Sequence, residues 1–178
     1  MSKFLHRLAV PLAATLLLLP ARHAGAQTLE PEPNMVAAVI ASFAEPGRRV
    51  FLAPALGLPA AMVNAGIGGR ARHNAKTLEY AQQRFSATIA YPEEVMECRD
   101  ASRPETCTIP GDGIVFYFVA PSTPLRNNIL PVRVILYHNG RGAGGQILRE
   151  AWDLLVRQSK EGWTVVQKRL YATANGPA

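Results

Sequence analysis

Ile114-Val-Phe-Tyr-Phe-Val-Ala120, Leu130-Pro-Val-Arg-Val-Ile-Leu-Tyr-His138, Gln146-Ile-Leu-Arg-Glu-Ala-Trp-Asp-Leu-Leu-Val-Arg-Gln158 and Trp163-Thr-Val-Val-Gln-Lys-Arg-Leu-Tyr-Ala-Thr173 follow one another towards the end of a 178-residue chain. All four are rich in β-branched and aromatic residues, which suit a pleated surface. The segments between them are turn formers: Pro121 to Asn128, the Gly-rich run from Asn139 to Gly145, and Lys160-Glu161-Gly162. Strands in succession with links this short make an antiparallel meander, because a parallel crossover needs a dozen or more residues. The expected fold class is therefore α+β, with the sheet built from the second half of the chain.

Side chains alternate along a strand, so the register decides what meets what. If the Gly-rich loop joins His138 to Gln146, Leu136 faces Leu148, Val134 faces Glu150, Val132 faces Trp152 and Leu130 faces Leu154. The other face carries Arg133, Arg149, Asp153 and Arg157 and reads as solvent-exposed. Glu150 thus stands on an otherwise apolar face, where a lone carboxylate is costly unless paired. Pairing Gln158 with Trp163 sets Glu150 opposite Tyr171, Trp152 opposite Arg169 and Leu154 opposite Gln167. His138, Glu150, Trp152, Arg169 and Tyr171 then gather at one concave face. A one-residue slip puts Ala172, Leu170 and Lys168 opposite instead. In the first register the five residues line a ligand pocket, with Glu150 the candidate acid or base. The competing reading makes Glu150 and Arg169 a structural ion pair, Trp152 ordinary core and His138 an exposed strand end.

Upstream, Asn34 is the expected N-cap of a helix whose Met35, Val36, Val39, Ile40 and Phe43 form one stripe, stopped by Pro46-Gly47. Residues 48–69 are apolar but broken by Pro54, Gly57, Pro59 and Gly66-Ile67-Gly68-Gly69, and read as a loop with a short helix near Ala60–Asn64. A second helix is expected over Ala71–Arg84, with Ala75, Leu78, Ala81 and Phe85 inward. Thr88–Tyr91 and Val95–Arg99 read as short strands separated by Pro92.

Helices first and a meander last, closing on Gly162-Trp163-Thr164-Val165-Val166, resembles the NTF2-like or SnoaL-like superfamily. The resemblance covers about 100 residues and rests on the amphipathic helix at 34–45 and the hairpin Glu150–Tyr171. It implies a cone-shaped roll in which N-terminal helices pack on a curved, mainly antiparallel sheet of four to six strands. It also implies a cavity between sheet and helices. Members include isomerases, hydrolases and non-catalytic binding or interaction domains. The Pro/Gly-rich 46–69 stretch and the segment 98–107 depart from that plan.

Other motifs point away from named chemistries. Gly66-Ile67-Gly68-Gly69-Arg70-Ala71 fits a Gly-x-Gly-x-x-Ala fingerprint. A dinucleotide site also needs a βαβ unit and an acid about twenty residues on, at the end of the second strand; the downstream chain is a meander and its nearest acids, Glu93-Glu94, follow Pro92, so a flexible turn is the favoured reading. No Gly-x-Ser-x-Gly elbow is present. Cys98 and Cys107 are expected to form a disulfide. With no Cys-x-x-Cys or His-x-x-x-His spacing, neither a metal nor a cofactor is expected. The function classes left are a non-catalytic ligand-binding or interaction module and, alternatively, a small-molecule isomerase or hydrolase using a pocket carboxylate.

The start of the chain sets the compartment. Lys3 and Arg7 precede an apolar run from Leu8 to Leu19, Pro20 breaks it, and Ala24-Gly25-Ala26 offers small residues for cleavage before Gln27. Residues 1–26 read as a cleaved signal peptide, 27–33 as a mobile lead-in and 34–178 as one domain. The run is too short for a bilayer-spanning helix, which needs about 20 residues, so no membrane anchor is expected after cleavage. Losing Lys3, Arg7 and Arg22 leaves sixteen basic residues against thirteen acidic, a net charge of +3 in place of +6. The remaining basic residues are scattered along the chain, which speaks against nucleic acid as a partner. The expected location is the periplasm or the medium. The expected partners are a small apolar ligand or an envelope protein, and a homodimer is the further possibility.

Overall fold

The computed structural model describes residues 31–58, 71–100, 103–121, 127–140 and 146–175. Helix α1 (Pro33–Ala41) is followed by β1 (Val50–Leu52), β2 (Ala55–Leu56) and β3 (Ala71–Arg72). Next come α2 (Ala75–Phe85), β4 (Thr88–Ile89), the single turn α3 (Pro92–Val95), β5 (Glu97–Cys98) and β6 (Cys107–Thr108). The chain then runs through β7 (Ile114–Val119), β8 (Ile129–Asn139), β9 (Ile147–Ser159) and β10 (Gly162–Asn175). The architecture is α+β, with three helices among the described residues.

The four long strands lie within about two residues of their expected limits, and β7 to β10 pair antiparallel in sequence order. The sheet is nonetheless mixed and six-stranded, in the order β10-β9-β8-β7-β1-β4, and it is open. β1 lies in its interior, parallel to both β7 and β4. Residues 50–52 had been expected in a loop. Flanking breakers disguise them, but Val50-Phe51-Leu52 is a short apolar run buried throughout, which is what a strand covered on both faces requires. The expected helix near Ala60–Asn64 lies outside the described residues.

The helices differ from expectation at their ends. In α1 Glu32, not Asn34, is the N-cap, because Pro33 supplies a pre-set φ and lacks only an N–H that the first turn leaves unpaired anyway. The helix ends at Ala41, short of Pro46. α2 starts at Ala75 because the Asn74 side chain accepts from the Thr77 amide at 2.8 Å. Ala71–Arg72, expected as helix, pairs with β2 instead. Its buried residues are Thr77 and Ala81; Ala75 faces solvent. Pro92–Val95 forms a helical turn held by the Glu94 carboxylate on the Tyr91 amide, and only Glu97–Cys98 remains of the strand expected at 95–99.

Two apolar clusters use the sheet as a shared wall. On one side Met35, Val36, Val39 and Ile40 of α1 join Leu52, Phe116, Phe118, Val132, Val134 and Leu154, with Trp152, Trp163 and Val165 at the margin. On the other, Phe51, Val115, Tyr137 and Ile147 meet Val95, Cys107 and Ile109. The first cluster covers the inner face of the sheet and the second the outer face. Burying a side chain such as Phe116 or Phe118, both fully enclosed, contributes about 1.5–3 kcal/mol. Gly113 lets the chain pass the second cluster, since a Cβ there would stand 2.5 Å from the Phe51 ring.

Candidate functional site

The site is built on β8 and β9. Their hairpin closes where the Gly140 amide donates to the Gln146 carbonyl at 2.8 Å. Leu136 pairs with Glu150, Val134 with Trp152, Val132 with Leu154 and His138 with Leu148. The pairing is therefore displaced by two residues from the expected one. A shift of two conserves the faces, so Glu150 still stands among apolar neighbours on the inner side.

There Glu150 is half-buried and multiply engaged. Its Oε2 accepts from the Trp152 indole Nε1 at 2.9 Å and lies 3.5 Å from His138 Nε2. The side chains of His138 and Glu150 are 17% and 21% exposed. Trp152 in turn stands edge-on to Phe43, with ring centroids 5.4 Å apart, and Phe43 meets Phe116 at 6.4 Å. The Lys168 ammonium lies 4.4 Å from the centre of the Phe43 ring and donates to the Ser42 carbonyl at 2.8 Å. A polar pair thus closes one end of an apolar, aromatic-walled face.

Arg169 and Tyr171, expected beside Glu150, lie on the other face. β10 starts in the expected register, Trp163 opposite Gln158. A bulge between Val165 and Gln167 then shifts it by one residue, and a second between Leu170 and Ala172 by one more. Each inserted residue reverses which side chains face inward. Trp152 consequently meets Leu170, Glu150 meets Thr173 and Asp153 meets Arg169. Neither expected partner of Glu150, Tyr171 or Ala172, is the one found.

The outer face holds a cluster that was expected to be merely solvated. Arg133 Nε donates to Asp153 at 2.7 Å, Arg169 Nη2 donates to the same carboxylate at 3.3 Å, and Arg133 stacks 4.2 Å from the centre of the Tyr171 ring. The hydrogen bond from Arg133, seconded by that from Arg169, holds the Asp153 carboxyl below its ordinary range, and the bond to Asp153 raises Arg133. The strand pattern put Arg133 and Asp153 on this face, where they are cross-strand partners, but it did not signal Arg169 and Tyr171, because the bulging that brings them there leaves no mark in composition.

Cys98 and Cys107 are bonded to each other across the β5–β6 ladder, as expected. Gly66–Arg70 of the glycine fingerprint lies outside the described residues, and Ala71 opens a strand. Among the described residues no group of three or more His, Cys, Asp and Glu is placed to hold a metal ion. A groove of about 550 Å³ runs between α1, α2 and the β9–β10 turn, lined by Ala38, Ala41, Tyr80, Arg84 and Trp163 among others. It lies apart from Glu150, and sequence reasoning missed it. Comparison with protein-family models, with curated proteins and with solved structures finds no match.

Proposed function

We propose that the chain is an exported binding module, a curved roll of NTF2-like shape, that takes a small, mainly apolar ligand bearing one hydrogen-bond donor or positive charge. One observation carries this reading: the half-buried Glu150 carboxyl, positioned by Trp152 and His138 at the end of an apolar face. A pre-positioned acceptor among aromatic walls is the usual makeup of a small-ligand site, where apolar contact gives affinity and a few polar groups give orientation. Export is supported by the disulfide, which belongs to oxidising compartments, and by the leader-like composition of residues 1–26, which lie outside the described residues. No described helix is long and apolar enough to cross a membrane.

Benzylammonium, benzyl alcohol and benzoate share one ring and differ in the group offered to Glu150, so they make a direct test. Tryptophan fluorescence is expected to report binding in that order of affinity, with at least about tenfold between the first and last. Glu150→Gln is expected to erase the preference. Equal affinities, or a preference that survives Glu150→Gln, would remove the basis of the proposal.

The His138–Glu150 contact favours a second reading, an isomerase or hydrolase in which Glu150 moves a proton on a bound small molecule. Glu150→Gln would then abolish turnover while a product-like ligand still bound.

A further inference from the structure

We propose that the outer edge of the sheet, strand β10, is a peripheral docking surface for an anionic lipid bilayer. Three observations converge on it. Among the described residues, the large apolar side chains left exposed are Val166, Leu170 and Tyr171, at 43%, 45% and 60%, and all three belong to β10. Every residue from Val166 to Thr173 is exposed, with Lys168 reaching back to Ser42 and Phe43 on one face and Arg169 and Tyr171 leaning on Asp153 and Arg133 on the other. From Val166 to Asn175 the strand carries Lys168 and Arg169 and no acid, and its neighbours on the outer face add Arg133 and Arg157 against the single Asp153.

An exposed strand edge ordinarily invites a second strand. The two bulges oppose that here. They interrupt the even spacing of amides and carbonyls that a pairing chain would need, and Arg169 would meet its own copy in an antiparallel pairing centred on it. The same bulges turn Arg169 outward and set Tyr171 over Arg133. A bulge bends its strand and re-aims the side chains around it. What remains is a cationic strip about 33 Å long, at 3.3 Å per residue, studded with apolar and amphipathic side chains. Phosphate oxygens of a headgroup layer complement the arginine forks. The acyl boundary takes Val166, Leu170 and Tyr171, and the wet headgroup zone satisfies the unpaired backbone. Interfacial binding needs both signals, apolar burial and charge, and β10 carries both.

The test is co-sedimentation of the protein, in the form the producing cell leaves it, with phosphatidylcholine vesicles and with equimolar phosphatidylcholine–phosphatidylglycerol vesicles. Binding is expected to the anionic vesicles only, and to be lost at high salt. Arg157→Gln with Arg169→Gln, and separately Val166→Ser with Tyr171→Ser, are each expected to weaken it about tenfold or more. Because all four positions are on the surface, each variant should keep the wild-type melting temperature to within about 2–3 °C. Equal binding to neutral vesicles, no binding to either, or variants that bind unchanged would overturn the proposal. So would light scattering that shows a dimer dissolved by the Val166/Tyr171 pair, since β10 would then be covered by a second copy.

Discussion

His73 lies at the start of α2's capping turn, only 5% exposed, with its ring edge-on to Phe118 at 5.5 Å and neither ring nitrogen hydrogen-bonded among the described residues. Burial lowers its pKa from 6.5 to about 4, because enclosure strips a charged imidazolium of its hydration. The unfolded chain therefore binds a proton that the folded chain refuses between those two values. Stability from this group is complete above about pH 6.5, falls as the pH drops, and is fully lost near pH 4, a change of about 3 kcal/mol. Urea midpoints measured at pH 7.5 and pH 4 should fall in the wild type and fall less in His73→Phe by that amount, the carboxylates being common to both. At pH 7.5 His73→Phe should be no less stable, since two unsatisfied polar atoms leave with the ring. Equal acid loss in both proteins would place His73's burial in doubt. At this scale the sequence was informative about Glu150, an acid in an apolar row, but silent on His73, whose enclosure depends on strands and helices far from it in the chain.

The elements show where strand reading stops. Alternation found β7 to β10 and the faces of β8 and β9, because a two-residue displacement leaves a face unchanged. It could not find the bulges in β10, since Val166 and Tyr171 are as good strand formers as their neighbours, and the first bulge alone moves both Arg169 and Tyr171 to the opposite side. Nor could it find β1, whose three residues sit between turn formers and whose partners lie more than thirty positions away. The β5–β6 ladder is the element most open to direct test. It holds two ladder pairs, far too few to stand alone in water, and Cys107 is buried in the outer cluster while Cys98 is exposed. The disulfide joins residues nine positions apart, a loop closure that stabilises by about 2.5–3 kcal/mol. Thermal unfolding with and without reductant should therefore differ by about 5–10 °C. Identical curves would mean that Ile109 and Val95 hold the segment in place without the bond.

For the molecule as a whole, the shared wall decides how it unfolds. β7 is buried on both sides: Phe116 and Phe118 point into the cluster with α1, and Val115 into the cluster with Ile109 and Tyr137. Neither cluster can dissolve without stripping one face of the same strand, so the described domain should unfold as one unit. Both tryptophans, Trp152 and Trp163, report the inner side, while a fluorotyrosine resonance assigned to Tyr137 reports the outer by fluorine NMR. Phe116→Ala should cost about 3–5 kcal/mol, the combined loss of transfer energy and of packing around a fully enclosed ring. That is a large part of the roughly 5–15 kcal/mol that holds a domain folded. The denaturant midpoint should fall equally by both probes, although Tyr137 belongs to the other cluster. Ile109→Ala, made on the far side, should lower both midpoints too, by about 2–5 kcal/mol. If Phe116→Ala moved the tryptophan transition and left the Tyr137 transition in place, the sheet would be two independent half-domains joined at β7, and the acid lability of His73 would be confined to the inner one.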